Sequence, residues 1–209
     1  MGFPNDRPPP GLCWAKLHRD CRKGLGDRCR EHCSCRVLAV LSLIGHSADV
    51  AAVMLALLER PVVARRLGRL MGKPELSAAD RCHLAALAAL HDVGKISQGF
   101  HWAPFAVGHG LPGHVGSFRA FLRNEEGYNE RVERLWRRYE EAGGLGELEA
   151  LLGGEEEWLP LEAVLAHHGS LPKDRPADLR LWQAADGYDP LAACRELIEA
   201  IRGWLPEAF

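Results

Sequence analysis

Two adjacent pairs of residues in this sequence carry side chains that commonly bind metal ions. His91-Asp92 lies near the middle of the chain, and His167-His168 lies in its last quarter. Imidazole nitrogens and carboxylate oxygens are typical ligands of divalent transition metals. A carboxylate can also bridge two ions, because its two oxygens offer about four lone-pair sites. The pairs therefore predict a metal centre in which His91 binds one ion and Asp92 reaches across to a second.

The positions of three histidines support this prediction. His46, His91 and His168 each fall on the apolar stripe of a different predicted helix. One histidine on such a stripe is more often a core residue than a ligand, but burying several is costly unless each ring finds a partner. A shared metal centre would supply that partner for all of them.

A cluster of histidine and aspartate suits the hydrolysis of phosphodiester bonds. The reaction must generate hydroxide near neutral pH and neutralise charge on phosphoryl oxygens, and two metal ions about 3.5–4 Å apart do both. Histidine-rich ligand sets favour Mn, Fe, Co or Ni, with Mg as a further candidate. Lys95 follows Asp92 closely and is a candidate for holding the phosphate or orienting Asp92. The alternative is a lysine that stabilises a helix C-terminus.

Helices must position these residues, because no stretch of the sequence alternates between apolar and polar residues over the length of a strand. Ser77, followed by Asp80, predicts a capping box at the start of one helix. From the spacing of apolar residues and the start and stop signals, we predict helices at about 45–60, 62–71, 77–94, 114–122, 129–141, 161–168 and 190–205.

The remaining stretches define the expected architecture. Residues 95–112 are predicted to form a long loop, and its His101 and His109 are interpreted as loop residues near the site rather than ligands. We expect an all-α fold, a helical bundle over residues 45–209. An irregular N-terminal arm, residues 1–44, would pack on this domain.

The composition excludes several classes of protein. The chain has 209 residues, 47% of them hydrophobic, which suits one folded domain. It has no apolar run of about 18 residues and no signal peptide, so we expect a cytoplasmic protein without a membrane partner. It has no GxxxxGK[ST] phosphate loop, which excludes an ATP-driven motor. The basic residues within 60–73 fit either a solvated helix face or a DNA path.

A cluster of cysteines lies near the N-terminus, and its spacing does not match the paired C-x₂-C pattern of zinc sites. Disulfides are rare in the cytosol. We interpret these residues as reduced thiols, with a structural metal site as the alternative. They are Cys21, Cys29, Cys33 and Cys35.

The string HDVGK at residues 91–95 resembles the signature of the HD phosphohydrolase superfamily. Further motifs accompany it in order along the chain: Trp14-Ala15-Lys16, GHSADVAAV at 45–53, HDVGKISQGF at 91–100, Gly113-His114 and Ala166-His167-His168-Gly169. This ordered set resembles the HD nuclease domain of the CRISPR-associated helicase-nuclease of type I systems, in particular its subtype E branch.

The resemblance implies a mainly helical fold and endo- and exonucleolytic cleavage of single-stranded DNA in CRISPR interference. Asp92 and Lys95 would be the catalytic residues, with Lys95 assisting at the phosphate. The implied partners are single-stranded DNA, a helicase region that this chain lacks, and an RNA-guided surveillance complex. The implied metal ligands are, for one ion, His46, His91 and Asp92 and, for the other, Asp92, His114, His167 and His168.

The sequence departs from that family at two places. The family often has a glutamine where this chain has His101. The family also has a metal-binding aspartate in a later Ala-Asp-Trp string, whereas Asp186 and Asp189 lie too early to match it and the chain ends at Phe209. We therefore expect a C-terminally truncated domain whose first metal site is incomplete, binds its metal weakly or is completed by solvent. The alternative functions are an HD-type hydrolase of small nucleotides and a catalytically incomplete fragment that binds metal or docks a partner.

Overall fold

The computed structural model of the protein describes residues 12–19, 37–102, 114–123, 130–144, 163–169 and 178–209. Within these ranges the chain is mainly helical, which confirms the predicted fold class. The helices are α1 (Leu43–Leu58), α2 (Pro61–Leu70), α3 (Ala78–Ala89), α4 (Gln98–Trp102), α5 (His114–Arg123), α6 (Glu130–Gly143) and α7 (Pro190–Trp204). Short 3₁₀ helices cover Leu90–Ile96, Ala166–His168, Leu179–Trp182 and Pro206–Ala208.

A small antiparallel sheet lies where the sequence predicts irregular backbone. Its strands are β1 (Trp14–Arg19) and β2 (Val37–Ser42), with Trp14 opposite Ser42 and Leu17 opposite Val40. Strand β2 is apolar over five of its six residues and continues directly into α1, so it shows no period of two. The expectation of irregular structure was therefore wrong at these two strands. The division of the chain into arm and domain stays a prediction.

Local sequence signals fix the starts of the helices that matter for the site. Ser42 caps α1 by accepting a hydrogen bond from the backbone of Gly45 at 3.0 Å, which places His46 in the first turn. Helix α3 begins with the predicted capping box, in which Ser77 and Asp80 each accept from the backbone N–H of the other.

The core forms between α1 and α3 and around aromatic rings from α5 and its neighbours. Ala85, Ala86 and Ala89 of α3 are fully buried, and such small side chains let α1 approach closely. Further along the chain, the rings of Phe121 and Trp182 stack with centroids 4.5 Å apart. Helix α3 is therefore packed into the core up to its last turn, and the residues that directly follow α3 lie at the site.

The chain leaves the α-helical path after α3. Leu90–Ile96 is a 3₁₀ helix, which we call the HD segment, whereas periodicity predicts that the α-helix continues to about residue 94. In a 3₁₀ helix, with about three residues per turn, side chains three residues apart eclipse each other. Asp92 and Lys95 are therefore stacked one above the other, while His91 points about 120° away from Asp92.

The other differences from the predicted elements are smaller. Helix α4 occupies part of the stretch predicted as a loop, so His101 lies in a helix, whereas His109 lies outside the described residues. Among the described helices, none has the length and apolar character needed to cross a membrane. The four clustered cysteines also lie outside the described residues: Cys21, Cys29, Cys33 and Cys35.

Candidate metal centre

The carboxylate of Asp92 lies at the centre of the site and is almost fully buried, with 3% of the residue exposed. Its Oδ2 atom lies 3.1 Å from His46 Nε2 and 3.1 Å from His91 Nε2. The same oxygen accepts a hydrogen bond of 2.7 Å from Lys95 Nζ. We call these three groups the Oδ2 side of the site.

The second oxygen of Asp92 faces a different pair of histidines. Its Oδ1 atom lies 3.0 Å from His114 Nε2 and 3.6 Å from His167 Nε2. We call these two groups the Oδ1 side. The rings of His91 and His167 meet edge to face between the two sides, with centroids 5.1 Å apart.

The histidines of the site belong to separate elements of secondary structure. His46 lies in the first turn of α1, His114 is the first residue of α5, and His167 belongs to the short 3₁₀ helix Ala166–His168. The approach of α5 depends on Gly94 in the HD segment. A Cβ atom at Gly94 would lie 2.2 Å from the carbonyl oxygen of His114, so a larger residue would push the start of α5 away.

Backbone carbonyls fix the orientation of two of the rings. His91 Nδ1 donates to the carbonyl of Ala88 at 2.9 Å, and His167 Nδ1 donates to the carbonyl of Val164 at 3.0 Å. In a neutral ring the remaining nitrogen, Nε2, then presents a lone pair to an oxygen of Asp92. Two acceptors face each other in this arrangement, and a cation shared between them removes the conflict.

The electrostatics of the site keep ligand groups in the forms that bind metals. Burial alone would raise the pKa of Asp92, but its contacts with His114, His91 and Lys95 outweigh burial and hold the pKa far below its usual range. Burial also lowers the pKa values of His46 and His167, although the negative charge of Asp92 opposes the shift. An ionised carboxylate and neutral imidazoles are the species that coordinate a divalent ion.

The distances suit metal binding. Within each of the sets His46–His91–Asp92 and Asp92–His114–His167, all ligand atoms lie within 4.8 Å of one another. Two ligands of one ion, each about 2.1 Å from it and at right angles, lie about 3.0 Å apart. The N···O distances of 3.0 and 3.1 Å match that spacing. The donor set therefore fits a pair of divalent ions.

The family of the chain follows from a comparison with known families. The family model described as "Cas3, HD domain" matches residues 14–209. The chain belongs to the Cas3 HD domain family. No curated protein and no solved structure matches it. Membership in this family implies a metal-dependent nuclease of type I CRISPR interference, with a nucleic acid as substrate.

This Cas3 HD domain brings together all but one of the residues expected at the site. The described side chains of the two ligand sets are those that the resemblance implies. The backbone of His168 lies in the 3₁₀ helix beside His167, but its side chain lies outside the described part of the chain. Asp186 is exposed and Asp189 caps α7, and neither belongs to a described ligand set.

Lys95 contacts a strand that sequence reasoning did not connect with the site. Its ammonium group donates to the carbonyl of Ala15 in β1 at 3.2 Å and lies 5.3 Å from the ring centroid of Phe100. The neighbouring Lys16 is exposed, and its positive charge helps to lower the pKa of His46. The only signal for these contacts in the sequence was the short motif at residues 14–16.

Proposed function

We propose that this HD domain cleaves single-stranded DNA, both endo- and exonucleolytically, with two divalent metal ions that share Asp92. The observation that carries the proposal is the division of the imidazoles between the two oxygens of one buried carboxylate. A bridging carboxylate of a metal pair offers one oxygen to each ion, which this division allows. The proposed ligands are His46, His91 and Asp92 on one side and Asp92, His114, His167 and His168 on the other.

Bound divalent ions would lower the pKa of water toward neutrality and neutralise charge on the phosphoryl oxygens. The protein itself supplies orientation and positive potential. Lys95 offers three N–H groups, of which described acceptors account for two, and the third is available to a phosphoryl oxygen. His46 and His114 lie at the starts of α1 and α5, so the positive ends of two helix dipoles favour an anionic substrate.

The direct test uses circular single-stranded DNA, which only an endonuclease can open. We expect Mn, Co or Ni to support cleavage, because histidine-rich ligand sets favour these metals over Mg. Asp92→Ala should abolish cleavage, whereas the matched control Asp49→Ala, at an exposed position of α1, should retain it. A linear strand labelled at one end then separates exonucleolytic shortening from internal cutting. Cleavage that persists in Asp92→Ala would contradict the proposal.

Two alternative functions predict different outcomes in the same assay. A hydrolase of small nucleotides would turn over deoxynucleoside triphosphates or cyclic dinucleotides and leave polymers intact. A domain that only docks a partner would bind metal without turnover of either substrate. We further propose that the partners are those of the family, a helicase region and an RNA-guided surveillance complex. Addition of these partners to the assay should direct cleavage to the displaced DNA strand.

A further inference from the structure

A tight turn lies just before α7 and contacts the end of the HD segment. Its central residues, Asp186 and Gly187, both have positive φ angles, of 52° and 80°. Ala185 and Tyr188 exchange two backbone hydrogen bonds of 3.0 Å across them, as in the two-residue hairpins that Asp-Gly pairs favour. We call these four residues the Asp-Gly turn. Asp189, which follows directly, caps α7.

Two hydrogen bonds join this turn to the HD segment and to the residues just after it. The hydroxyl of Tyr188 donates to the backbone carbonyl of Ile96 at 2.7 Å. In the opposite direction, the side-chain amide of Gln98 donates to the carbonyl of Ala185 at 3.0 Å. Ile96 is the last residue of the HD segment and Gln98 is the first of α4, so both bonds hold the same part of the chain.

The hydroxyl of Tyr188 is a buried donor on a well-packed support. Only 7% of the residue is exposed, and its ring packs against that of His101 with centroids 4.2 Å apart. Burial holds the pKa of Tyr188 well above its usual value, so the hydroxyl keeps its proton. Helix α7, which begins two residues later, contributes the buried side chains of Leu197 and Ile201 to the core. The turn therefore joins the HD segment to the core.

The end of the HD segment needs such a donor. The segment is a 3₁₀ helix of seven residues, whereas runs of more than about four residues are uncommon because their hydrogen bonds have poor geometry. The last carbonyls of any helix also lack partners within the helix. Ile96 is fully buried, so water does not reach its carbonyl. Without the Tyr188 hydroxyl this carbonyl would lose a buried hydrogen bond, which favours a shift of the segment.

Lys95 directly precedes Ile96, so a shift there moves the lysine backbone. The ammonium group of Lys95 is buried and donates to Asp92 Oδ2 at 2.7 Å and to the carbonyl of Ala15 at 3.2 Å. We propose that Tyr188 is a positioning residue for Lys95, fixing the end of the HD segment so that the ammonium group meets both Asp92 and the substrate phosphate. The proposal rests on the proposed nuclease function for its effect on turnover, but the position of Lys95 is a property of the protein without metal.

The chain contains a matched control for this hydrogen bond. Tyr139, in α6, is also buried, and its hydroxyl donates to the backbone carbonyl of Trp182 at 2.8 Å. Tyr188→Phe and Tyr139→Phe each remove one hydroxyl and keep the ring. The carbonyl of Ile96 belongs to the HD segment, whereas that of Trp182 does not. Both variants should therefore lose stability, but only Tyr188→Phe should change a measurement that reports on Lys95.

The first experiment measures the accessibility of Lys95 without metal or DNA. The protein is treated with an acetylating reagent, and the rate at each lysine is read by mass spectrometry, with exposed Lys16 as internal reference. We expect Tyr188→Phe to raise the Lys95 rate about fivefold, the equivalent of one lost hydrogen bond, and Tyr139→Phe to leave it within about twofold. Urea unfolding of both variants measures their loss of stability separately.

The second experiment measures single-stranded DNA cleavage by the same variants. We expect Tyr188→Phe to lower kcat about tenfold while KM and the Kd for Mn stay within about twofold, because the proposed metal ligands are unchanged. Tyr139→Phe should keep the wild-type kcat. In a double-mutant cycle, Tyr188→Phe should cost nothing further in a Lys95→Met background, since the effect acts through Lys95.

Three outcomes would overturn the proposal. They are an unchanged Lys95 labelling rate in Tyr188→Phe, equal rises in Tyr188→Phe and Tyr139→Phe, or full additivity with Lys95→Met. If Tyr188→Phe fails to fold by circular dichroism, Gln98→Met takes its place, because it removes the other hydrogen bond to the Asp-Gly turn. Lys95 labelling must then rise in Gln98→Met, or the proposal fails. If labelling responds as expected but the wild type cleaves no DNA, Tyr188 still positions Lys95 and the proposed nuclease function fails.

Discussion

On the Oδ2 side of Asp92, His46 and His91 lie 3.1 Å from one oxygen, and the ammonium of Lys95 binds the same atom at 2.7 Å. On the Oδ1 side, His114 lies at 3.0 Å and His167 at 3.6 Å. The His167 side chain is also the most exposed of the four imidazoles, at 23%. One oxygen is therefore crowded and already carries a cation, and the other is more open.

The difference has an electrostatic consequence. The positive charge of Lys95 repels a metal ion that binds at Oδ2, whereas at Oδ1 burial lowers the pKa of His167 and so favours its neutral, metal-binding form. We therefore expect an ion at Oδ1 to bind more tightly than an ion at Oδ2.

Removal of the Asp92 carboxylate should have the largest effect on cleavage, because it removes a proposed ligand from the Oδ2 side and the Oδ1 side at once. Asp92→Ala would delete the proposed shared ligand of both ions, and we expect cleavage to fall at least about 10³-fold. Isothermal titration with Mn should show binding at neither site. A variant that still binds one ion with wild-type affinity would show that Asp92 does not bridge.

Single substitutions on the two sides of Asp92 should each remove a different one of the two proposed metal ions. His114→Ala should remove the tighter ion and His46→Ala the weaker one, each lowering cleavage about 100-fold. The number of Mn ions bound and their Kd values, measured by titration, test the order. Loss of the weaker ion in His114→Ala, with the tighter ion retained, would reverse the assignment.

Gly94→Ala should weaken metal binding on the Oδ1 side of the site and leave metal binding on the Oδ2 side intact. The added Cβ would meet the His114 carbonyl oxygen at 2.2 Å, so α5 must shift and carry His114 away from Oδ1. We expect a loss of about 1–3 kcal/mol in the free energy of unfolding and a selective loss of the Oδ1 ion. The control is Gly203→Ala in α7, where a Cβ meets nothing within 4 Å and stability should hold or rise.

The buried ring of His101 gives a prediction about pH. Burial lowers the pKa of His101 from 6.5 to about 4, so the folded state resists a proton that the unfolded state accepts. Stability should therefore be lost as pH falls below about 6.5, by about 1.4 kcal/mol per pH unit, and level off near pH 4. Urea unfolding of wild type and His101→Gln from pH 4 to 7 isolates this contribution. Parallel curves would contradict it.

The smallest expected effect concerns Lys16 at the edge of the Oδ2 side. Its exposed ammonium lies close enough to His46 to lower the pKa of that ring, so it can attract a DNA phosphate near the site. We expect Lys16→Gln to raise KM a few-fold and to reduce the slope of log affinity against log salt by about one unit. Lys73→Gln, at a lysine paired with Asp80, is the control and should leave both unchanged.

The sequence predicted most of the helices because their signals are local. The capping box at Ser77 and Asp80 and the start of α5 at His114 follow from a few neighbouring residues, and the structure confirms both. The sequence did not reveal the strands because β2 is apolar over five of its six residues and is stabilised by pairing with β1, a partner about 20 residues away along the chain.

The expected geometry of the HD segment was only partly right. The apolar periodicity of the sequence predicts an α-helix that continues past Leu90, whereas the chain forms a 3₁₀ helix from Leu90 onward. Apolar spacing does not distinguish the two helices over so few residues. The interpretation of His101 as a loop residue was also wrong, since it lies buried in α4 against Trp14 and Tyr188.

The sequence by itself determined the chemical identity of the site: the histidines, the aspartate, their order and the family they indicate. Side-chain type and spacing are sufficient for this, because ligand preference depends on the atoms offered. Only the tertiary structure decided which oxygen of Asp92 each histidine faces, that Ala15 holds the ammonium of Lys95, and that His101 is buried against Trp14 and Tyr188. Those contacts join distant parts of the chain, and their distances depend on how β1, α1, α4 and α5 pack together.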